Sequence, residues 1–178
     1  MTEAEAKPSP QGSPFWRFSL QFYRQPGVAD ACITLQEQSG VDVNLLMYLL
    51  WQAGQRRSFS PDEVAWLESK IGSWRESAVV PLRAVRRALK EPPSLMTAGT
   101  AEVFRTKVKA VELEAERLQQ QAMYELETPV PFGTDVASPA EAAHANVAAY
   151  ETMLAAPFSK PTVQALVAAF AALPLKAD

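Results

Sequence analysis

Apolar residues recur at helical spacing along most of this chain, and strand-like alternation is nowhere sustained. Ser13-Pro14 supplies a capping hydroxyl and a proline for a first turn, and Phe15, Trp16, Phe18, Leu20, Phe22 and Tyr23 spread over a broad apolar face. The pattern predicts a largely buried first helix, ended by Gln25-Pro26-Gly27. Val28, Ala31, Cys32 and Leu35 then mark a second amphipathic helix, with Gly40 placed to take a left-handed C-cap. Asp42 opens a third helix whose run from Leu45 to Trp51 is apolar all round, as expected of a segment surrounded by others.

Ser60-Pro61-Asp62-Glu63 has the form of a capping box with proline at the first helical position. Behind it Val64, Leu67, Ile71, Trp74, Ala78, Leu82, Val85 and Leu89 keep one stripe, which Pro81 should kink or break. The longest helix is predicted from about Ala98 to Glu127. In it Phe104, Val108, Val111, Ala115, Leu118 and Ala122 form a short heptad seam, suited to packing along a bundle or, alternatively, to self-association. Pro129, Pro131 and Gly133 make residues 128–137 read as a linker. Ser138-Pro139-Ala140-Glu141 looks like a second capping box before a helix carrying Ala143, Val147, Tyr150 and Leu154. Val163, Leu166, Val167, Phe170 and Leu173 form a last stripe, which should dock on the bundle or on a second chain.

The chain has 178 residues, of which 48% are hydrophobic, enough for one domain with a core that needs no disulfide or metal. Cys32 is the only cysteine and His144 the only histidine. Disulfide frameworks and zinc-finger clusters are thereby excluded. The expected architecture is all-α: a compact helical bundle over residues 13–127 with one long helix, a disordered tail over 1–12, the linker 128–137, and a helical C-terminal appendage over 138–178. The polar, acidic start has no apolar signal-peptide core, and no run of about 18 apolar residues exists, so a cytoplasmic protein with no transmembrane segment is expected.

Three stretches resemble a known family: Ser13-Pro14-Phe15-Trp16-Arg17-Phe18-Ser19-Leu20, Pro26-Gly27-Val28-Ala29-Asp30-Ala31-Cys32, and Gly40-Val41-Asp42-Val43-Asn44-Leu45-Leu46. Trp74-Arg75, Pro81-Leu82-Arg83 and Arg86-Arg87 fit the same pattern. The chain is similar over roughly 13–127 to an uncharacterised proteobacterial family of small helical proteins. The resemblance implies a fold and a variable C-terminal portion, but no activity.

Phosphate-binding loops, nucleophile elbows and zinc-protease motifs are absent from the sequence. Cys32 lies on an apolar stripe and reads as core, and His144 reads as a solvent-facing helix residue. Glu112 and Glu116 read as a solvated face that neutralises part of a neighbouring basic one. The four tryptophans fit an aromatic core better than a ligand pocket. Residues 70–90 carry six cationic side chains against Glu76 alone, inside a chain of net charge −3. Arg83, Arg86, Arg87 and Lys90 fall on one helix face, and the arginine fork suits carboxylates and phosphates. Asp42 is a candidate counter-charge for these arginines, and Asn44 a candidate to reach an arginine or a ligand.

These six residues form the candidate binding site, with no catalytic group, cofactor or metal assigned. The reading that follows is a non-enzymatic interaction module, an adaptor or regulator binding a protein partner. The alternative is an enzyme or carrier with an aromatic-lined pocket for an apolar or anionic small molecule. The net acidic charge argues against nucleic acid, and a homo-oligomer is compatible with the seam.

Overall fold

The computed structural model describes residues 12–174. The tail expected over residues 1–12 lies, apart from Gly12, outside them. The chain is all-α, with the helices α1 (Pro14–Tyr23), α2 (Val28–Ser39), α3 (Val43–Gly54), α4 (Pro61–Trp74), α5 (Val80–Ala88), α6 (Ala98–Tyr124), α7 (Pro139–Leu154) and α8 (Lys160–Ala171). The predicted caps act as read. Ser13 and Ser60 accept from the backbone N–H groups of Trp16 and Glu63, and Glu63 returns the bond to the Ser60 N–H, closing a full capping box. Gly40 stands at φ 71°, where a side chain would be strained, and ends α2 with its N–H on Gln36 and Leu35.

The second capping box is half formed. Ser138 accepts from the Glu141 N–H, but the Glu141 carboxylate takes the Ala137 N–H instead of the N-cap's own. The break expected at Pro81 is a π-helical turn, Arg75–Val79, closed by the Val80 N–H on the Arg75 carbonyl. The extra residue in that turn lets Pro81, which has no N–H to give, enter α5 at its first turn.

α3 sits at the centre. Leu45, Leu46, Leu49 and Leu50 are fully enclosed, so truncation of any of them leaves a cavity. Phe15, Phe22, Cys32, Leu35, Val64 and Leu67 close around them from α1, α2 and α4. Burial pushes the Cys32 thiol up to about 12, as befits a small core residue.

The helices after residue 137 share this core. Ala142, Ala143 and Ala149 bring α7 close along α3, the most extensive helix pairing in the fold, and Tyr150 and Val147 fill the gaps between them. On α8, Leu166, Val167 and Phe170 are buried, with the Phe170 ring edge-on to Phe18 and Phe22. The buried alanines of α7 mark its tight packing on α3, and α8 joins the same core through α2 and α7. His144 points outward from α7.

The segment 128–137 is tied down. Thr134–Asp135 (β2) pairs antiparallel with Arg57–Ser58 (β1), two rungs too short to leave an alternating pattern in the sequence. Arg57 reaches the Phe132 and Gly133 carbonyls, and the Gly133 N–H donates to Glu63 at 2.6 Å. Gly133 has φ 70°, and a Cβ there would meet the Phe59 ring at 2.8 Å, so glycine is required on two counts. Phe132 in turn packs between Phe59 and Trp66, tilted to the first ring and edge-on to the second.

One buried amide joins these parts. The Asn146 Oδ1 accepts from the Phe59 N–H at 2.7 Å, and its Nδ2 donates to the Leu49 and Arg57 carbonyls at 2.9 and 3.0 Å. Asn146→Ala strips partners from three backbone groups in a fully enclosed site. It is expected to cost about 2–4 kcal/mol in urea unfolding. A midpoint within error of the parent would contradict this reading of the amide.

Candidate functional site

The basic face of α5 does not stand alone in solvent. Arg83 and Arg86 are i, i+3 on that helix and lean onto α6, where Glu112 and Glu116 are i, i+4. The Arg83 Nε donates to Glu112 at 3.1 Å and its Nη2 to Glu116 at 2.8 Å. Arg86 grips both oxygens of Glu112. Glu112, read from sequence as part of a solvated face, is therefore buried between two guanidinium groups. Arg87 is half exposed, and its ion pair among the described residues is a 3.5 Å contact with Glu37 of α2.

The two carboxyls differ. Burial pulls Glu112 up, but the hydrogen bonds from Arg86 and Arg83 outweigh it and hold the group below the usual glutamate range. Glu116 is pushed above that range by burial, which the single arginine contact fails to offset and the neighbouring Glu112 charge reinforces.

This ion-pair row forms one wall of a cleft of about 870 Å³. The facing wall is α1 and α2, with Trp16, Leu20 and Tyr23 along one face of α1 and Ile33 beside them. Val43, Asn44 and Met47 at the start of α3 make the floor together with Ser19 and Gln120. Arg24, Arg87, Lys90 and Lys109 stand on the rim. Two of the floor side chains, Ser19 and Gln120, are polar and buried. Gln120 Nε2 donates to Asn44 Oδ1 at 2.8 Å, while Gln120 Oε1 and Ser19 Oγ have no hydrogen-bond partner among the described residues. Both side chains are at least nine-tenths buried, at 3% and 5% exposure.

Of the six residues singled out in the sequence, Asn44, Arg83, Arg86, Arg87 and Lys90 all border this cleft. Asp42 does not. It lines a smaller adjoining recess, and its counter-ion is Arg75 at 3.2 Å and not the arginines of α5, because the π-helical turn carries Arg75 over the start of α3. Its other carboxylate bonds cap α3 and hold Gln119, so the group is fully used inside the fold. Asn44 meets Gln120 instead of an arginine. Missed from sequence were Ser19, Lys109 and Gln120. The signal available was the polar row Glu112, Glu116, Gln120, four residues apart on α6 and parallel to the apolar seam. The tryptophans divide: Trp51 and Trp66 pack on other rings, Trp74 lies along α6, and Trp16 faces the cleft. No group of three or more metal-ligating side chains occurs among the described residues, and none of the described helices is long and apolar enough to cross a membrane.

The chain belongs to the family described as "Protein of unknown function (DUF2390)", whose model matches residues 14–123. Every cleft residue named above falls inside that span, whereas α7 and α8 fall outside it. No curated protein and no solved structure matches the chain.

The opposed carboxyl shifts set opposite pH dependences. A raised folded-state value means that the Glu116 contribution to stability is present at low pH and is lost as pH rises through that value. Glu112 behaves the other way: its contribution is present above the ordinary glutamate value and lost as pH falls through the lowered one. Thermal melts should therefore show Glu116→Gln more stable than the parent at neutral pH, with the gap closing on acidification. Glu112→Gln should instead lose about 1–3 kcal/mol near neutrality, since it leaves two arginines short of a partner. A Glu116→Gln gap that widens toward acid would refute the assignment.

Proposed function

We propose, starting from membership in a family of unknown function, that this protein is a binding module of the cytoplasm. Its α1–α2–α3–α5–α6 cleft takes an amphiphilic anion, a ligand with an apolar body and an acidic end. The observation that carries the reading is the meeting, in one cleft, of an apolar wall from α1 and α2 with a rim of cationic side chains. Trp16, Leu20, Ile33 and Met47 offer the apolar body a surface, and Arg87, Lys90 and Lys109 offer the acidic end its counter-charge. Nothing on the cleft wall pairs a nucleophile with a base, so binding fits these residues better than turnover.

A second reading keeps the adaptor role. Tyr23, Ile33 and Leu113 are roughly half exposed on the lips of the cleft. They favour an acidic amphipathic helix of a partner protein laid across the opening.

Arg83 and Arg86 are unsuited to testing either, because removing them strips Glu112 of its partners. Anilinonaphthalene sulfonate, apolar with one fixed negative charge, is the first probe. It should bind with one-to-one stoichiometry and weaken as salt rises. Lys90→Glu/Lys109→Glu should raise its dissociation constant about tenfold or more without changing the melt. Displacement by decanoate supports the small-molecule reading, and displacement only by an acidic helical peptide supports the adaptor. Binding that is indifferent to salt and to the double variant would reject the cleft as an anion site.

A further inference from the structure

Three carboxylates line the cleft, Glu37 from α2 and Glu112 and Glu116 from α6. They stand differently toward the arginines of α5. Glu112 is buried, and both its oxygens are taken by Arg83 and Arg86. Glu37 is mostly exposed and meets Arg87 at 3.5 Å. Glu116 lies between these extremes: its side chain is three-quarters covered, and its ion-pair partner among the described residues is the Arg83 Nη2 at 2.8 Å. Arg83 thus lines the cleft with its Nε already given to Glu112 and its Nη2 to Glu116. The charged and titratable groups around Glu116 are Arg83 and Arg86 of α5, Glu112 of α6, Tyr23 of α1 and Asp42 before α3. Behind Asp42 stand Arg75 of the π-helical turn and Glu68 of α4, paired with each other. Burial keeps the Tyr23 phenol un-ionised, and Asp42 is engaged by Arg75. Against Glu116, burial and the Glu112 charge act together.

Resting on the reading of the cleft as an anion site, we propose that Glu116 is its gate. Ionised, Glu116 occupies the Arg83 Nη2 from within the cleft; protonated, it yields that group to the acidic end of the ligand, so anion binding draws a proton from solvent. An anion brought beside an ionised Glu116 meets a like charge in a wall where water screens poorly. Beside the protonated acid it meets an O–H that donates to it. The proton therefore turns a competing acceptor into a donor. Glu112 cannot play this part, because two arginines hold both of its oxygens and it moors α5. The coupling is reciprocal: the bound anion strengthens proton binding at Glu116 by the factor by which the proton strengthens anion binding. Affinity is highest at a pH where Glu116 is protonated in both free and bound protein. It falls as pH rises between the free and bound values, and levels off once both forms are ionised. Each pH unit separating those values is tenfold in affinity.

Anilinonaphthalene sulfonate suits the test because its sulfonate stays charged throughout. Its binding to the full chain is measured by calorimetry from about pH 8 to about pH 5, above the ordinary glutamate value, in buffers of different ionisation enthalpy. The parent should bind about tenfold tighter at the acid end and take up a measurable fraction of a proton per anion between the two ends. Glu116→Gln, neutral and able to donate from its amide, should bind at every pH as tightly as the parent does in acid, with no proton uptake. His144, the only histidine, faces outward from α7, so His144→Gln should keep the parent's profile. Proton uptake by the parent needs no variant, so it decides the matter even where a substitution disturbs folding. A pH dependence equally strong in Glu116→Gln overturns the gate. A flat profile in the parent, with the dependence on salt and on Lys90 and Lys109 intact, overturns the gate and leaves the anion site standing. No binding at any pH, or binding indifferent to salt and to Lys90→Glu/Lys109→Glu, rejects the anion site and the gate with it.

Discussion

The carboxylate of Asp42 is the point on which the helix arrangement depends. It is 6% exposed and makes four bonds: to the N–H groups of Asn44 and Leu45, to Arg75 and to Gln119. Its own N–H donates to the Tyr150 hydroxyl at 2.8 Å, and burial keeps that phenol un-ionised. The start of α3, the π-helical turn after α4, the middle of α6 and the end of α7 are thus fixed to one residue. A buried carboxylate is costly unless every lone pair is occupied. Here the groups that occupy them come from elements far apart in sequence, so the charge is satisfied only when all of them are docked. Relative placement of α3 and α6, and with it the depth of the cleft between them, follows from that requirement.

Local signals in the sequence carried as far as local physics reaches. Ser13, Ser60, Gly40 and the proline at position 81 speak about their own turns, and the helices begin, end and break close to where they indicate. Asp42 was legible as a cap for the same reason, but its pairing with Arg75 was not, because a π-helical turn rotates the following residues by an amount that no 3.6-residue wheel contains. The arginines of α5 were legible as one face. Which carboxylates meet them depends on how α5 lies along α6, a tertiary fact. Asn146 gave no warning, since a polar residue inside an alanine-rich helix reads as solvent-facing until three backbone groups from 49, 57 and 59 are brought around it. The proline-rich stretch 128–137 looked unstructured because its order comes from Arg57, Glu63 and two aromatic rings elsewhere.

The family span and the core are not the same set of residues. The cleft is made wholly from residues inside 14–123, yet Tyr150 and Asn146, which lock Asp42 and the loop after α3, lie beyond it. The walls of the candidate site and the buttress that holds them are therefore separable in sequence. Different buttresses can support the same walls, provided something replaces the hydroxyl on Asp42 and the amide on Phe59.

No side chain of α5 is fully buried; the helix lies along α6 and is moored by Arg83 and Arg86 to Glu112 and Glu116. Its neighbour the π-helical turn is anchored by Val79, at 2% exposure. With no fully buried side chain of its own, α5 is held against α6 by ion pairs whose shared carboxylate, Glu112, is buried and therefore little screened by salt. This wall of the cleft is thus set by charge geometry and not by the leucine core.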